Sequence, residues 1–466
     1  MSLSSAINAS VSGLRVTGKW AEITSTNIAN VTTEGYGRKT LELTSGGGTG
    51  LRVSGVEREV DDAISRLHRQ NIARTERQEA TVRGLDPYIT ALGGTESPFS
   101  LTSQIGRFHG ELSLLAADPG NEGLQRAAIA SASALTEGLH RVTDGVSEAR
   151  ALARASAAAD TADADDALKR IAILGRQVMQ EPDGTTFRAS LEDDMARELD
   201  RLAGIMDFRV ERSPRGEVSL YTTSGAPLVT RNEAVGLSYD PMSGRLFTGD
   251  IDITPGEDGR RGISEGRLAG HILLDQSTLP RMQAQIDELA RALIDGFAAV
   301  DASVAPGQPS IFVDAGTSPT EPLARRIAVN PGLLPDQGGD PWRIRDGLGA
   351  TAQGFTGDNR QIIAFVSRLD EKMAFDPAAG LLSEGRITDF AAVLMTEHQY
   401  ARVRAEEGRD ESRLAAESVA LMRSGIEGVN MDEELQRLLV IEQNYAANAT
   451  VMRTLNELLD TLLASV

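Results

Sequence analysis

The residues that most often carry catalysis are few and scattered in this chain. The five histidines, His68, His109, His140, His271 and His398, lie far apart, and none has a second histidine within four residues or sits in an H-E-x-x-H helix. Cysteine is absent, which removes disulfides, thiolate nucleophiles and a Cys/His zinc site. The glycine cluster SGGGTG at 45–50 lacks the Gly-Lys-Ser/Thr ending and the strand-to-helix setting of a phosphate cradle. Carboxylates are abundant, and solvated helix faces account for them. These patterns lead us to expect no enzyme, no cofactor and no metal.

What remains is non-covalent chemistry, concentrated at the two chain ends. In 430–466, Leu438, Tyr445, Met452, Leu459 and Val466 recur every seven residues. Leu435, Ala449 and Leu463 fill most of a companion column that Glu442 and Asn456 interrupt. Asn430 is a suitable N-cap, Asp432 puts negative charge in the first turn, and Glu433 stands where a capping-box acid would reach back. The spacing predicts one long helix with an apolar seam. The first thirty residues mirror it. Ile7, Leu14, Ala21 and Ile28 fall at heptad spacing, with Val11 and the small Ser4, Gly18 and Ser25 between them. Such seams serve equally as partner-binding faces or as the core-facing stripes of ordinary helices.

Composition narrows the setting. The chain has 466 residues, 41% of them apolar and 24% charged, enough for several domains with real cores. Aromatics are only 4%, which favours extended helical packing. With 47 basic and 67 acidic residues the net charge is −20, which weighs against nucleic acid or an anionic membrane as partner. The opening MSLSSAINASVSGL has neither a basic start nor a continuous apolar run, and no stretch approaches the ~20 apolar residues of a membrane span. We therefore expect no cleavable signal peptide and no membrane insertion. If the protein leaves the cell, its route must read an uncleaved end.

Between the ends, the sequence predicts a helix over 3–30, an extended pair around 40–44 and 51–53, and helices over 57–92, 99–117, 121–159 and 165–181. The Ala/Asp/Ser-rich stretch 150–167 is expected to be helical and exposed. A helix at 187–206 leads into strand-like alternation from Asp207 to about 262, with turns at Pro-Arg-Gly and Ser-Gly-Ala-Pro. Helices return at 280–300, 358–374 and 384–424. Residues 301–358 read as irregular, and Gly425 with Gly428 forms a joint before the last helix. The expected fold is mainly α with a β-rich insert, elongated and multi-domain, its terminal helices paired as a coiled-coil-like domain against a helical-bundle body. The expected divisions are 1–45, 46–183, an outer β-rich domain at 184–262, 263–427, and 428–466. The insert is expected to face outward and to tolerate deletion.

Several stretches resemble a known family. Asn-Ile-Ala-Asn-Val-Thr-Thr-Glu-Gly-Tyr at 27–36 resembles the N-terminal signature of bacterial flagellar axial proteins, with Glu34 where proline is usual. The stretch from Gly428 through Asn444-Tyr445-Ala446-Ala447-Asn448-Ala449 to Leu463 resembles the matching C-terminal signature. Residues 105–150 with Ala117-Asp118-Pro119, Leu191 to Val229, Gly266 to Gly270, and Ser424 to Glu434 resemble the FlgK family of hook-associated proteins. The resemblance implies a structural component of the hook-filament junction, extracellular in the flagellum. It implies export unfolded by the flagellar type III system, and terminal helices that order on assembly. The implied partners are copies of itself in a ring, hook protein below, the second junction protein or filament above, and an export chaperone on the C-terminal helix. The assembly interface it implies comprises Ile7, Val11, Leu14, Ile28, Asn30, Gly35, Tyr36, Leu435, Leu438, Tyr445, Met452, Leu459 and Leu463. The alternatives are another axial component (second junction protein, rod or hook type) and a general coiled-coil adhesin or binding module.

Overall fold

A computed structural model describes residues 3–33, 35–45, 50–94, 97–213, 217–256 and 262–464. Glu34, Val466, the side chain of Leu462 and the glycine loop at 46–49 lie outside the described residues.

Helix α1 (Leu3–Ala29) leads into the antiparallel hairpin β1 (Lys39–Ser45) and β2 (Leu51–Arg58), which carries a bulge between Glu42 and Leu43. The hairpin therefore straddles the expected division at residue 45. β2 continues to Arg58, so α2 (Asp62–Leu92) starts later than the expected 57. Its N-cap is Asp61, whose carboxylate accepts from the amides of Ala63 and Ile64. Helix α3 (Leu101–Ala117) follows a Ser100 cap, and Asn121 caps α4 (Glu122–Gln180).

α4 is a single helix of 59 residues, where two were expected. No proline interrupts it, and at ~1.5 Å per residue it runs the length of the body. Its alanine-rich middle is exposed on one side only, against the expectation of general exposure. Ala153, Ala157, Ala164 and Ala167 are completely buried on the other. Small side chains let neighbouring backbones approach closely, and the hydrophobicity of alanine is too weak to signal that face.

Two cores hang on this helix. In the larger, Leu135, Leu139, Val142 and Val146 of α4 meet α3, the end of α2, α7 (Leu279–Val300), α10 (Arg360–Asp370) and α11 (Ile387–Glu427). The few aromatics gather here. Phe108, Phe297, Phe312 and Phe365 form a chain of ring contacts with centroids 5.4–5.6 Å apart. The stretch 301–358 is irregular but well packed. The strand pair β10 (Phe312–Asp314) and β11 (Ile327–Val329), with the helical turns α8 (Leu323–Arg326) and α9 (Arg343–Asp346), buries Ile311, Phe312, Ile327 and Ile344 in the same core. The buried Asp301 pins the segment by accepting from Ser303 Oγ and Ser310 Oγ at 2.6 Å and from the Leu348 amide at 3.1 Å. A last short pair, β12 (Met373–Ala374) and β13 (Glu384–Gly385), precedes α11.

In the second core, Leu168 and Ile171 of α4 meet α5 (Thr186–Ile205), α6 (Arg267–Leu273) and two small antiparallel sheets. One sheet is β3 (Arg209–Arg212), β4 (Val218–Tyr221), β5 (Pro227–Thr230) and β6 (Glu233–Ala234). The other is β7 (Leu237–Asp240), β8 (Arg245–Thr248) and β9 (Ile251–Asp252). A π-helical turn at Leu274–Thr278 joins α6 to α7. Its buried Asp275 takes Arg150 Nε on one oxygen and Arg154 Nε on the other, both at 2.9 Å.

His398 shows how the larger core treats a polar group. Tyr88 Oη donates to its Nδ1, and its Nε2–H donates to Gln285 Oε1. Burial pushes the imidazole pKa down to about 3. The folded protein thus holds His398 neutral where the unfolded chain takes up a proton below about pH 6.5. Stability falls as pH drops from there toward 3, with a limiting slope of about 1.4 kcal/mol per pH unit from this group. We expect His398→Gln to flatten the fall in Tm between pH 7 and 4.5. An unchanged slope would assign the acid sensitivity elsewhere.

Candidate assembly surface and its joint to the body

The last helix, α12 (Met431–Ala464), pairs with α1, so the two chain ends form a stalk at one pole. Asn430 caps α12 as its sequence suggests, its side chain accepting from the amides of Asp432 and Glu433. Glu433 does not complete a capping box; its carboxylate reaches Arg38 at 3.1 Å. The column of α12 turned inward is Glu434, Ile441, Asn448 and Leu455, again at heptad spacing. Asn448 lies against Gly13 of α1, where a Cβ would come within 2.8 Å of its Oδ1. The helices cross closely there because Gly13 has no side chain.

The expected interface residues fall as follows. Leu438, Met452 and Leu459 are half-buried beside the inward column, while Leu435, Tyr445 and Leu463 are exposed, Leu463 at 74%. Ile7, Val11, Leu14 and Ile28 of α1 are half-buried, and so are Asn30, Gly35 and Tyr36. The fully buried positions of α1 are Ser10, Val16, Thr17, Ile23, Thr24 and Asn27. Of these, Ile23 packs with Val56 of the hairpin and Ala189 of α5. Leu439, Val440, Val451 and Leu458 of α12 are exposed as well. The last helix therefore carries apolar side chains around most of its circumference, and α1 covers one strip of it.

A polar joint fixes the stalk to the body. Asn27 is completely buried. Its amide donates to the Lys39 carbonyl at 2.9 Å, and its Oδ1 accepts from the Lys39 amide at 3.1 Å and from Tyr36 Oη at 2.9 Å. Burial, then Asp193 and Glu434, raise the Tyr36 pKa, so the phenol keeps the proton it donates. Gly35 turns the chain with φ of +73°, and a Cβ there would come within 2.6 Å of Arg197 Cγ. Asn27→Ala would strand the Lys39 amide and the Tyr36 hydroxyl. We expect a loss of about 1–3 kcal/mol in denaturant unfolding, and a loss within error would contradict the clamp.

Beside it, Asp193 of α5 receives Lys39 Nζ at 3.0 Å, Arg58 Nη2 at 2.9 Å and the Gly37 amide at 3.1 Å. Arg38 spans the joint. Its guanidinium reaches Glu59 at 3.3 Å and Glu433 and Glu434 at 3.1 Å, and its amide donates to the Glu427 carbonyl at 2.8 Å. Glu427, at the end of α11, accepts from the Asp61 amide and Ser65 Oγ, both at 3.0 Å, and from Arg423 Nε at 2.8 Å. Arg423 also holds Asp200 of α5 at 2.6 Å, and Asp200 holds Arg69 of α2 at 3.2 Å. Burial alone would lower the Arg423 pKa, but Asp200 and Glu427 outweigh it and the net shift is upward. His68 is displaced downward by burial, with Arg423 and Arg69 adding to the effect against Asp200.

This corrects the expected outer domain. The span 184–262 contains α5, whose Asp193 and Asp200 anchor the joint, so it does not come away as a unit. The β-rich part of that span is the two sheets, from Arg209 to Asp252, which pack on α4, α5 and α6. Gly425 lies within α11, and the break before the last helix falls at Gly428. A groove of about 600 Å³ opens at the joint, walled by Val31, Ile72, Ala420 and Val429, with Arg197 and Arg201 at its edge. Sequence reasoning missed this network because its partners lie far apart in the chain, 396 residues apart for Arg38 and Glu434.

A body tied through a charged joint to a stalk of its own two ends, with apolar side chains left open along that stalk, defines a structural subunit made for assembly. Comparison with known proteins gives the particular likeness. Residues 90–304 match the model of the flagellar hook-associated protein FlgK helical domain. Residues 426–465 match that of the flagellar basal body rod FlgEFG protein C-terminal region. The chain is 20% identical to flagellar hook-associated protein 1 of Bacillus subtilis over 94% of each chain. It is 21% identical to flagellar hook-associated protein 1 of Escherichia coli over 99% of this chain and all of that one. A solved structure of the flagellar hook junction protein FlgK from Burkholderia pseudomallei is similar over 53% of this chain and 46% of its own, at 17% identity and a TM-score of 0.46. The chain thus resembles flagellar hook-associated protein 1 over nearly its whole length, and the FlgK helical domain over residues 90–304. Among the described residues, no helix is long and apolar enough to cross a membrane.

Proposed function

We infer that this chain is a structural subunit of the bacterial flagellum at the hook-filament junction, and that it assembles through its terminal helices. We further propose that it is exported unfolded by the flagellar type III system without signal cleavage, and that a chaperone holds α12 until export. In the junction, copies form a ring with hook protein below and the second junction protein or filament above.

The observation that carries this reading is the poverty of α12's internal packing. Among the described side chains of this 34-residue helix, Ile441 and Leu455 are the apolar ones that reach full burial. Each buried side chain of that size contributes about 1.5–3 kcal/mol, whereas ordering costs ~1–2 kcal/mol per residue before hydrogen bonding. The pairing with α1 is therefore marginal in one chain, and neighbours that cover Leu435, Leu439, Tyr445, Leu458 and Leu463 complete it. Hydrogen exchange tests this. In the purified monomer, 3–29 and 431–464 should exchange far faster than α2, α4 and α7, and should become protected in isolated flagella. Equal protection of α12 in both states would mean that its seam is satisfied internally, and the reading would fall.

A further inference from the structure

The body has an uncovered apolar face of its own. On the last four turns of α11, Leu414 is 62% exposed and Leu421 76%, and Met422 and Ile426 are exposed beside them. These positions fall within one stripe of the helix, since i, i+7 and i+8 share a face. Ser418 and Gly425 lie on the same stripe and are exposed, so a second helix can approach closely. Arg413 and Glu417 border it, a charged rim beside an apolar centre. The opposite side of α11 carries the buried Val419 and Glu427 and the half-buried Arg423 that hold α2 and the joint, so the stripe is not needed for the fold of its own chain.

We propose that this stripe is a lateral contact with a second copy of the chain, carrying onto the body the contact that α12 makes in the stalk. The proposal rests on the functional reading above, and three observations favour a second copy. The stripe reaches Ile426, and exposed apolar residues resume past the break at Gly428 with Met431, Leu435 and Leu439. The apolar surface is thus continuous with the face of α12 assigned to assembly. The four side chains alone fall well short of the ~800 Å² per partner that a stable interface needs. They suffice only where α12 already holds two copies in register, which leaves the free chain monomeric. Finally, the net charge of −20 makes copies repel at a distance, so a contact between them must be apolar at its centre. A contact that joins one face to a different face of its neighbour closes into a ring when the rotation allows.

The test uses flagella of a strain carrying this chain as its only copy. With the photo-crosslinking residue p-benzoylphenylalanine in place of Leu421, irradiation should give an adduct of two copies of the chain. An adduct with any other protein, or no adduct in flagella that contain the chain, overturns the proposal. The double variant Leu421→Asp with Met422→Asp should keep the monomer's Tm and lose at least tenfold in incorporation. Normal incorporation of that variant also overturns it. Leu463→Asp run in parallel separates the two failures. If Leu463→Asp blocks incorporation while the α11 variant does not, the lateral contact is wrong and the stalk reading survives; if neither blocks it, the stalk reading itself fails.

Discussion

Asp193→Ala should destabilise the protein by about 3–5 kcal/mol, the loss expected when one partner of a buried ion pair is removed. The reason is what stays behind. Lys39 and Asp193 are both almost fully enclosed, and Arg58 is only slightly more open. Without the carboxylate, the Lys39 ammonium keeps Ser190 Oγ at 3.2 Å and the face of Tyr36, and Arg58 keeps a distant Glu192 at 3.9 Å. Neither set neutralises two cations out of water. Lys39 and Arg58 are also cross-strand partners in the hairpin, so one carboxylate holds the hairpin's base to α5. The loss should therefore appear first as release of residues 1–60. Limited proteolysis would show cleavage in the hairpin while α2, α3 and α4 stay intact. Asp193→Asn, which keeps the shape and one acceptor, should lose less than alanine. A loss under about 1 kcal/mol for the alanine variant, in denaturant unfolding, would show that the joint does not depend on this charge.

The second large effect is on assembly. Leu463→Asp should leave the monomer's Tm unchanged and abolish entry into the junction. Leu463 is exposed, so a carboxylate there costs the free chain nothing. Buried against neighbouring copies, the same carboxylate would lose its water with no partner, a penalty of several kcal/mol repeated in every subunit. Leu459→Asp is a less clean experiment, because Leu459 is half-buried against α1 and the change also weakens the pair within one chain. Fractionation of flagella, with the chain followed by antibody, checks the outcome. Normal amounts of Leu463→Asp in the hook-filament fraction would contradict the role given to α12.

The helical body, the inserted sheets and the meeting of the two ends were legible in the sequence because each rests on local signals. Asn430 marks the start of the last helix, and glycines with positive φ mark turns. The face of α12 was not legible. Counting apolar columns selected Leu438, Tyr445, Met452 and Leu459, whereas α1 meets the column of Glu434, Ile441, Asn448 and Leu455. A helix that is apolar around most of its circumference does not announce which strip its partner takes, and a glutamate and an asparagine disguised this one. Only Gly13 opposite Asn448 hints at it, and that pairing needs both ends at once. The charged joint was hidden for the same reason, since Arg38 gains its meaning from residues at the far end of the chain. The alanines of α4 were misplaced because a small side chain looks the same to a pattern whether it faces water or a neighbour.

The unbroken α4 has a mechanical consequence. One end of this helix lies in the core built around Phe108 and Phe297, and the other in the core that holds α5 and the sheets. A twisting or bending load applied at the stalk passes from α5 into α4 and along a single covalent rod to the opposite pole. The two cores cannot slide past one another without breaking that rod. The subunit answers torque as one stiff spring, and its compliance is concentrated at the three-residue break, Gly428 to Asn430, between α11 and α12.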